Sequence, residues 1–164
     1  MALQYRKAKS GDFAALQQML ELYQYELSDI WPQDADTEAK YGYNLDRLRA
    51  GEHFHAHVAL SGLQYAGFAL VAPAAVTRQV GCWMEQFFIL KRYRRTGAGL
   101  ALAQHVFSCH PGPWEVGQMF ENHRAQALRR RTVAKVTGDS YREVHVTEGW
   151  WKGVVQQFTV SAQA

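Results

Sequence analysis

The stretch Ile89-Leu90-Lys91-Arg92-Tyr93-Arg94-Arg95-Thr96-Gly97-Ala98-Gly99-Leu100 links an apolar run, Cys82 to Leu90, to a pattern of helical spacing at Leu100, Ala103, Val106 and Phe107. The change of period marks a strand-to-helix junction. Glycines at 97 and 99 let a ligand come close to the backbone, and a helix start presents unpaired N–H groups at the positive end of its dipole. That combination is an anion site. Arg94 and Arg95 add charge-assisted hydrogen bonds suited to a diphosphate. A Walker loop would need Lys and then Ser or Thr after its second glycine, and Leu100-Ala101 stand there instead. A dinucleotide fingerprint would need a third glycine. What remains is Arg-x-x-Gly-x-Gly, filled by Arg94, Gly97 and Gly99.

Outward from this loop the pattern alternates between strand and helix. Leu3 to Lys9 reads as a first strand, and Ser10 or Asp12 can cap the helix marked by Phe13, Leu16, Leu20, Tyr23 and Leu27. A second helix is predicted over Glu38 to Arg49. His53 to Leu60 and Leu63 to Pro73 form a hairpin around Ser61-Gly62. Cys82 to Leu90 is apolar on both faces except at Glu85 and Gln86, which places it centrally in a sheet. Trp114 to Phe120 is strand-like, Asn122 to Val136 helical, and Tyr141 to Val146 and Trp150 to Val160 close the chain as strands joined by a tight turn at Glu148-Gly149. The fold class is α/β (α+β), one domain over residues 1–164, with a single mixed, mostly antiparallel sheet of about seven strands and helices on both faces.

Composition sets the class of protein. With 48% apolar and 20% charged residues the chain is too apolar to be disordered. A net charge of only +3 favours an anionic ligand without calling for nucleic acid. Cys82 and Cys109 have no paired spacing and read as reduced thiols. No stretch has the apolar length of a signal or membrane segment, so a cytoplasmic protein without a membrane partner is expected.

The junction loop, its flanking elements and the Asn122-x-x-Ala125 helix resemble the GNAT N-acetyltransferase superfamily. Tyr23-Gln24-Tyr25-Glu26-Leu27-Ser28, Tyr41-Gly42-Tyr43, Ala66-Gly67-Phe68-Ala69-Leu70, Glu85-Gln86-Phe87-Phe88-Ile89 and Pro111-Gly112-Pro113-Trp114-Glu115-Val116 look like a bacterial branch of predicted acetyltransferases. The resemblance implies the acyl-CoA N-acyltransferase type of fold, with acetyl-coenzyme A as co-substrate. Backbone groups of Phe87, Phe88 and Ile89 would pair with the acetyl and pantetheine arm, and a strand amide near Phe87 or Phe88 would hold the oxyanion. The amides from Arg95 through Thr96, Gly97, Ala98 and Gly99 to Leu100 would hold the pyrophosphate. Asn122 would reach the pantetheine or the departing sulfur. The strands holding Phe88 and Val116 would splay apart to admit the cofactor. Four residues after Ala125, where the superfamily often places a tyrosine as general acid, this chain has Arg129.

An ammonium acceptor must lose a proton before it attacks a thioester, and Glu85 is the candidate base, its pKa raised by burial. Alternatively, Glu85 pairs with an arginine inside the sheet. The acceptor is expected to be a small or cationic amine, met by Glu21, Glu26, Asp29, Asp34, Asp36 and Glu38 and by aromatic residues including Tyr25 and Tyr43. His53, His55 and His57 alternate and are expected on an exposed strand face, with no metal. Arg129, Arg130 and Arg131 diverge around a helix and do not make a nucleic-acid patch. Trp150-Trp151 sends one ring inward and one outward, the outer one offering a homodimer contact. The competing readings are a non-catalytic acetyl-coenzyme A module of the same fold and an ATP-binding domain, the latter disfavoured by the missing Walker lysine.

Overall fold

The computed structural model describes residues 2–51, 53–74 and 76–162. Its strands are β1 (Gln4–Lys7), β2 (His55–Ser61), β3 (Gln64–Pro73), β4 (Cys82–Ile89), β5 (Gly112–Gln118), β6 (Arg142–Val146) and β7 (Gly153–Val160). They form one seven-stranded sheet in the order β1-β2-β3-β4-β5-β7-β6. Only β4 and β5 pair in parallel; the other neighbours are antiparallel. The apolar run Cys82 to Ile89 thus takes the middle place its two-sided hydrophobicity calls for.

Helices cover both faces. On one face lies α1 (Phe13–Leu27), whose Leu16, Met19 and Leu20 are buried against Val58, Phe68, Leu70 and Phe88. The short α2 (Asp46–Ala50) joins it through Leu48. On the other face, α3 (Ala98–Cys109) buries Leu102, Ala103, Val106 and Phe107, and α4 (His123–Thr137) adds Val133 to the same cluster.

The helix predicted over Glu38 to Arg49 forms only from Asp46. Local side chains take the backbone amides that a helix would need: Asp36 accepts from Glu38 and Lys40 at 2.8 and 2.9 Å, and Glu21 accepts from Tyr41 at 2.7 Å. Short acidic side chains compete with the helical ladder in this way. The last hairpin also differs, because residues 147–152 connect β6 to β7 as a longer loop rather than a tight turn.

Asp12 stands at the head of α1, but its carboxylate binds elsewhere. It accepts two bonds from Arg6 at 2.7 and 2.9 Å, one from the Lys9 amide at 2.7 Å and one from the Tyr65 hydroxyl at 2.7 Å. Arg6 first, then the amide and the hydroxyl, hold this buried carboxyl well below the usual aspartate range. Asp12→Asn is therefore expected to lower stability at pH 7 by about 2 kcal/mol. Because the folded pKa is depressed, the contribution is complete above the unfolded value near pH 4 and is lost as pH falls below it. Urea unfolding of wild type and variant at pH 7 and pH 3 checks this; a difference that does not shrink in acid would refute it.

Candidate functional site

The site predicted from sequence lies at a fork in the sheet. Between β4 and β5 only Cys82↔Trp114 and Trp83↔Glu115 are paired. The other edge of β4 stays bonded to β3 through Phe87↔Ala69, Phe88↔Phe68 and Ile89↔Gly67. Beyond Trp83, then, the β5-facing edge of β4 has backbone groups outside any ladder among the described residues. At Gly117 on β5 a Cβ would stand 2.4 Å from the Trp83 ring and 2.6 Å from that of Trp151. The glycine lets both indoles, 5.3 Å apart, pack at the base of the fork. Trp150 points outward and is 66% exposed, so the pair divides as its alternation predicts.

The start of α3 lies beside the free end of β4, since a Cβ on Gly99 would be 3.7 Å from Ile89 Cγ1 and 3.9 Å from Phe87 Cε1. Gly97 is the N-cap of α3, with φ 89° and ψ −6°. This left-handed conformation suits glycine and strains a branched side chain. Arg95, just before it, is also left-handed at φ 63°. The Ala101 amide bonds back to the Gly97 carbonyl at 3.0 Å, which leaves the amides of Ala98, Gly99 and Leu100 without carbonyls one turn back. Thr96 turns its hydroxyl to the Tyr93 carbonyl, 2.7 Å away.

Arg94, expected at the diphosphate, binds a carboxylate of the chain instead. Its two Nη atoms donate to both carboxylate oxygens of Glu26 on α1 at 2.5 and 2.6 Å, and Nε donates to the Ile89 carbonyl at 2.7 Å. The guanidinium lies 5.4 Å from the Phe88 ring centroid. Its charge is thus matched by α1 rather than left for a diphosphate, and it locks the loop to the helix. Arg95 is exposed at the head of α3, and Lys91 and Arg124 are near enough to Glu26 to help hold its carboxyl down after Arg94. Asn122 caps α4 by accepting from the Ala125 amide at 3.1 Å, so its carboxamide oxygen is engaged and its NH2 group remains.

Glu85 is the extra residue of a bulge: β3 pairs Leu70 with Gln86 and Val71 with Met84, passing over it. Bulges re-aim side chains beside functional sites. Glu85 Oε1 accepts from Arg47 of α2 at 3.1 Å, so the pairing arginine comes from a helix and not from the sheet. Burial pushes the Glu85 carboxyl up, opposed by Arg47 and Tyr43. Oε2 is buried without an aligned donor among the described residues. The Tyr43 hydroxyl, itself pushed up by burial and by Glu85, stands beside this carboxyl.

Tyr25 is not brought to this place. It lies two residues past Tyr23, about 200° around α1, is 69% exposed, and lines a shallow groove with Gln18, Glu21, Leu22 and Tyr41. Tyr23 is the tyrosine that faces the fork, with its ring 5.2 Å from Phe88. The acidic wall expected around α1 is also largely spent on structure: Glu26 binds Arg94, Glu21 and Asp36 hold backbone amides, and Glu38 pairs with Lys40.

Arg129 is the residue whose weight spacing alone understated. It is only 8% exposed, its guanidinium lies 3.9 Å from the Phe87 ring centroid, and Tyr23 is its electrostatic neighbour. Phe87 packs with the α3 face and Tyr23 with the α1 face, so Arg129 stands in the fork between them. No carboxylate pairs with it among the described residues. Burial lowers its pKa to about 10, which leaves it cationic at neutral pH.

The three histidines expected on an exposed face do not share one. His53 precedes β2, His55 is half-buried, and His57 is 1% exposed beneath the C-terminal end of α3. There it contacts His105 and His110, partners too remote in sequence for a strand pattern to reveal. Cys82 and Cys109 are both free thiols. No helix among the described residues is long and apolar enough to cross a membrane.

No family model matches the chain, and no curated protein matches it in sequence. Solved structures do match its fold. The PaiA N-acetyltransferase of Thermoplasma acidophilum, in complex with coenzyme A, aligns at TM-score 0.68 and 11% identity over 97% of this chain and 99% of its own. YncA of Salmonella typhimurium, a putative acetyltransferase with its cofactor acetyl-CoA, aligns at 0.66 and 15% identity over 100% and 97%. The ribosomal-protein-S18-alanine N-acetyltransferase of Escherichia coli aligns at 0.62 and 13% identity over 99% and 97%. A GNAT-family acetyltransferase of Staphylococcus aureus aligns at 0.63 and 12% identity over 96% and 99%. The chain therefore has the fold of the GNAT acetyltransferases across nearly its whole length.

Proposed function

We propose that this chain is an N-acetyltransferase that uses acetyl-coenzyme A and a small or cationic amine. The observation that carries the reading is the Gly97-led start of α3 set against the unladdered edge of β4. Amides from Arg95 to Leu100 hold the pyrophosphate, joined by the Arg95 side chain, with Arg94 fixing the loop from behind through Glu26. Phe87, Phe88 and Ile89 offer backbone groups to the acyl arm, and an amide among them takes the acyl oxygen. Bound acetyl-coenzyme A supplies a thioester activated toward amines. Glu85, raised by burial, takes the proton from the amine, and Tyr43 beside it flanks the acceptor. Arg129 offers a desolvated cation where negative charge gathers on sulfur as the carbon–sulfur bond breaks.

The Glu85–Arg47 pair is what favours the alternative, a non-catalytic acetyl-coenzyme A module. Thiol release during a screen of amines separates the two readings, because only an enzyme turns over.

Calorimetry with acetyl-coenzyme A, coenzyme A and ATP at moderate salt tests the cradle. Association with the two coenzyme A compounds and not with ATP is expected. Gly97→Val, which forces a branched residue into the left-handed region at a cost of about 1–3 kcal/mol, should distort the cradle and weaken acetyl-coenzyme A binding by about fivefold to a hundredfold. No association by the wild-type chain would end the proposal.

A further inference from the structure

A second chemical centre lies on the α3 face, where β2 passes beneath the C-terminal end of α3. His57 Nδ1 is 3.2 Å from His105 Nε2, and Cys109 Sγ is 3.8 Å from the same nitrogen. The three donor atoms all lie within 4.8 Å of one another. His105 and Cys109 are four residues apart on α3, so both hang from one face of the helix above the strand. In a tetrahedral zinc site, with bonds of about 2.0–2.1 Å to nitrogen and 2.3 Å to sulfur, neighbouring ligand atoms stand roughly 3.3–3.6 Å apart. The His57–His105 and His105–Cys109 spacings match this to within a few tenths of an ångström, and the His57–Cys109 pair, within 4.8 Å, closes to it by rotation of the exposed Cys109 side chain.

We propose that His57, His105 and Cys109 form a binding site for a divalent metal ion of the zinc class, with His110 as the supporting partner of His57. His57 Nε2 lies 2.9 Å from His110 Nε2. When Nδ1 of His57 binds a cation, its proton resides on Nε2 and is donated to His110, which fixes tautomer and ring orientation as outer partners of metal-bound histidines do. His110 is itself held between the rings of His55, at 4.8 Å, and Trp114, at 6.3 Å.

The donor set suits zinc. Two imidazoles and a thiolate are borderline-soft ligands, and the exposed Cys109 leaves the fourth position open to water. Lys7, whose charge reaches His57, opposes the site and is not part of the donor set. Binding would tie α3 to β2 at the end of the helix opposite its Gly97 cap.

The test uses the tag-free full chain, stripped with a chelator and titrated with cobalt chloride and then with zinc chloride. One equivalent of cobalt should bind with a near-ultraviolet sulfur-to-metal charge-transfer band, and zinc should displace it. Cys109→Ser should abolish the band and weaken zinc binding at least tenfold, and His105→Ala should weaken it likewise. Cys82→Ser, which changes the other thiol, should leave both readings intact. Cys109 is exposed and its substitution is not expected to disturb folding, which far-ultraviolet circular dichroism checks. Absence of stoichiometric binding at micromolar metal, or a band and affinity untouched by Cys109→Ser, overturns the proposal. The titration needs no acetyl-coenzyme A, so its outcome is independent of the transferase reading.

Discussion

Arg129→Met is expected to fold more stably than the wild type by about 1–3 kcal/mol and, with an amine that supports turnover, to turn over about a hundredfold more slowly. The opposite signs follow from one observation. Arg129 is a buried cation with no carboxylate partner among the described residues, and the Phe87 ring at 3.9 Å returns only part of its lost hydration. Its pKa is depressed to about 10, so throughout the neutral range the folded state bears the cost of keeping it charged. Methionine fills a similar volume without that cost. In the transferase reading the same cation meets the charge on the leaving sulfur, an interaction made only as the bond breaks; turnover should therefore fall while acetyl-coenzyme A affinity stays within a few fold. Glu85→Gln, assayed alongside, tests the base separately. Urea unfolding and stopped-time thiol release provide the readouts. A destabilised Arg129→Met, or one with undiminished turnover, would show that the arginine is structural.

The parts legible in the sequence are those in which a local pattern decides the structure. The spacing of Leu16, Leu20 and Tyr23 fixed which face of α1 turns inward, and Gly97 marked the start of α3 because a left-handed cap has few residues to choose from. Two-sided hydrophobicity put β4 in the middle of the sheet. Partnership was not legible. Arg94 could serve a phosphate or a carboxylate, and only the folded chain brings Glu26, 68 residues away, to its guanidinium. Glu85 likewise finds Arg47 because a bulge and a five-residue helix meet, neither of which has a sequence period long enough to read. The histidine cluster assembles β2 with the end of α3 across 48 residues, so alternation along β2 suggested a face but not what covers it. Glu115, fully buried on β5, accepts from the Val76 and Thr77 amides at 3.2 and 2.7 Å, and nothing around it in the sequence announces that duty.

Trp114→Ala should cost about 3–5 kcal/mol of stability, near the upper end for a single substitution. Trp114 is fully buried where β4 and β5 make their last contacts before the fork, paired with Cys82. Its ring meets Phe107 of α3 edge-on at 4.8 Å and stacks on Phe158 of β7 at 6.5 Å, and Nε1 donates to the His110 carbonyl at 2.7 Å. Truncation removes the transfer energy of an indole, leaves a cavity bordered by three elements, and strands a carbonyl at the end of α3. Trp114→Phe keeps most of the packing and loses the hydrogen bond, so about 1–2 kcal/mol is expected from it. The ranking discriminates between two ways of holding a fork open. If the aromatic cluster fixes the angle at which β4 and β5 part, Trp114→Ala should also weaken acetyl-coenzyme A binding under conditions where it remains folded, and Trp114→Phe should not. Equal losses in the two variants, measured by urea unfolding, would mean that the indole N–H bond rather than the packed ring secures the base of the fork.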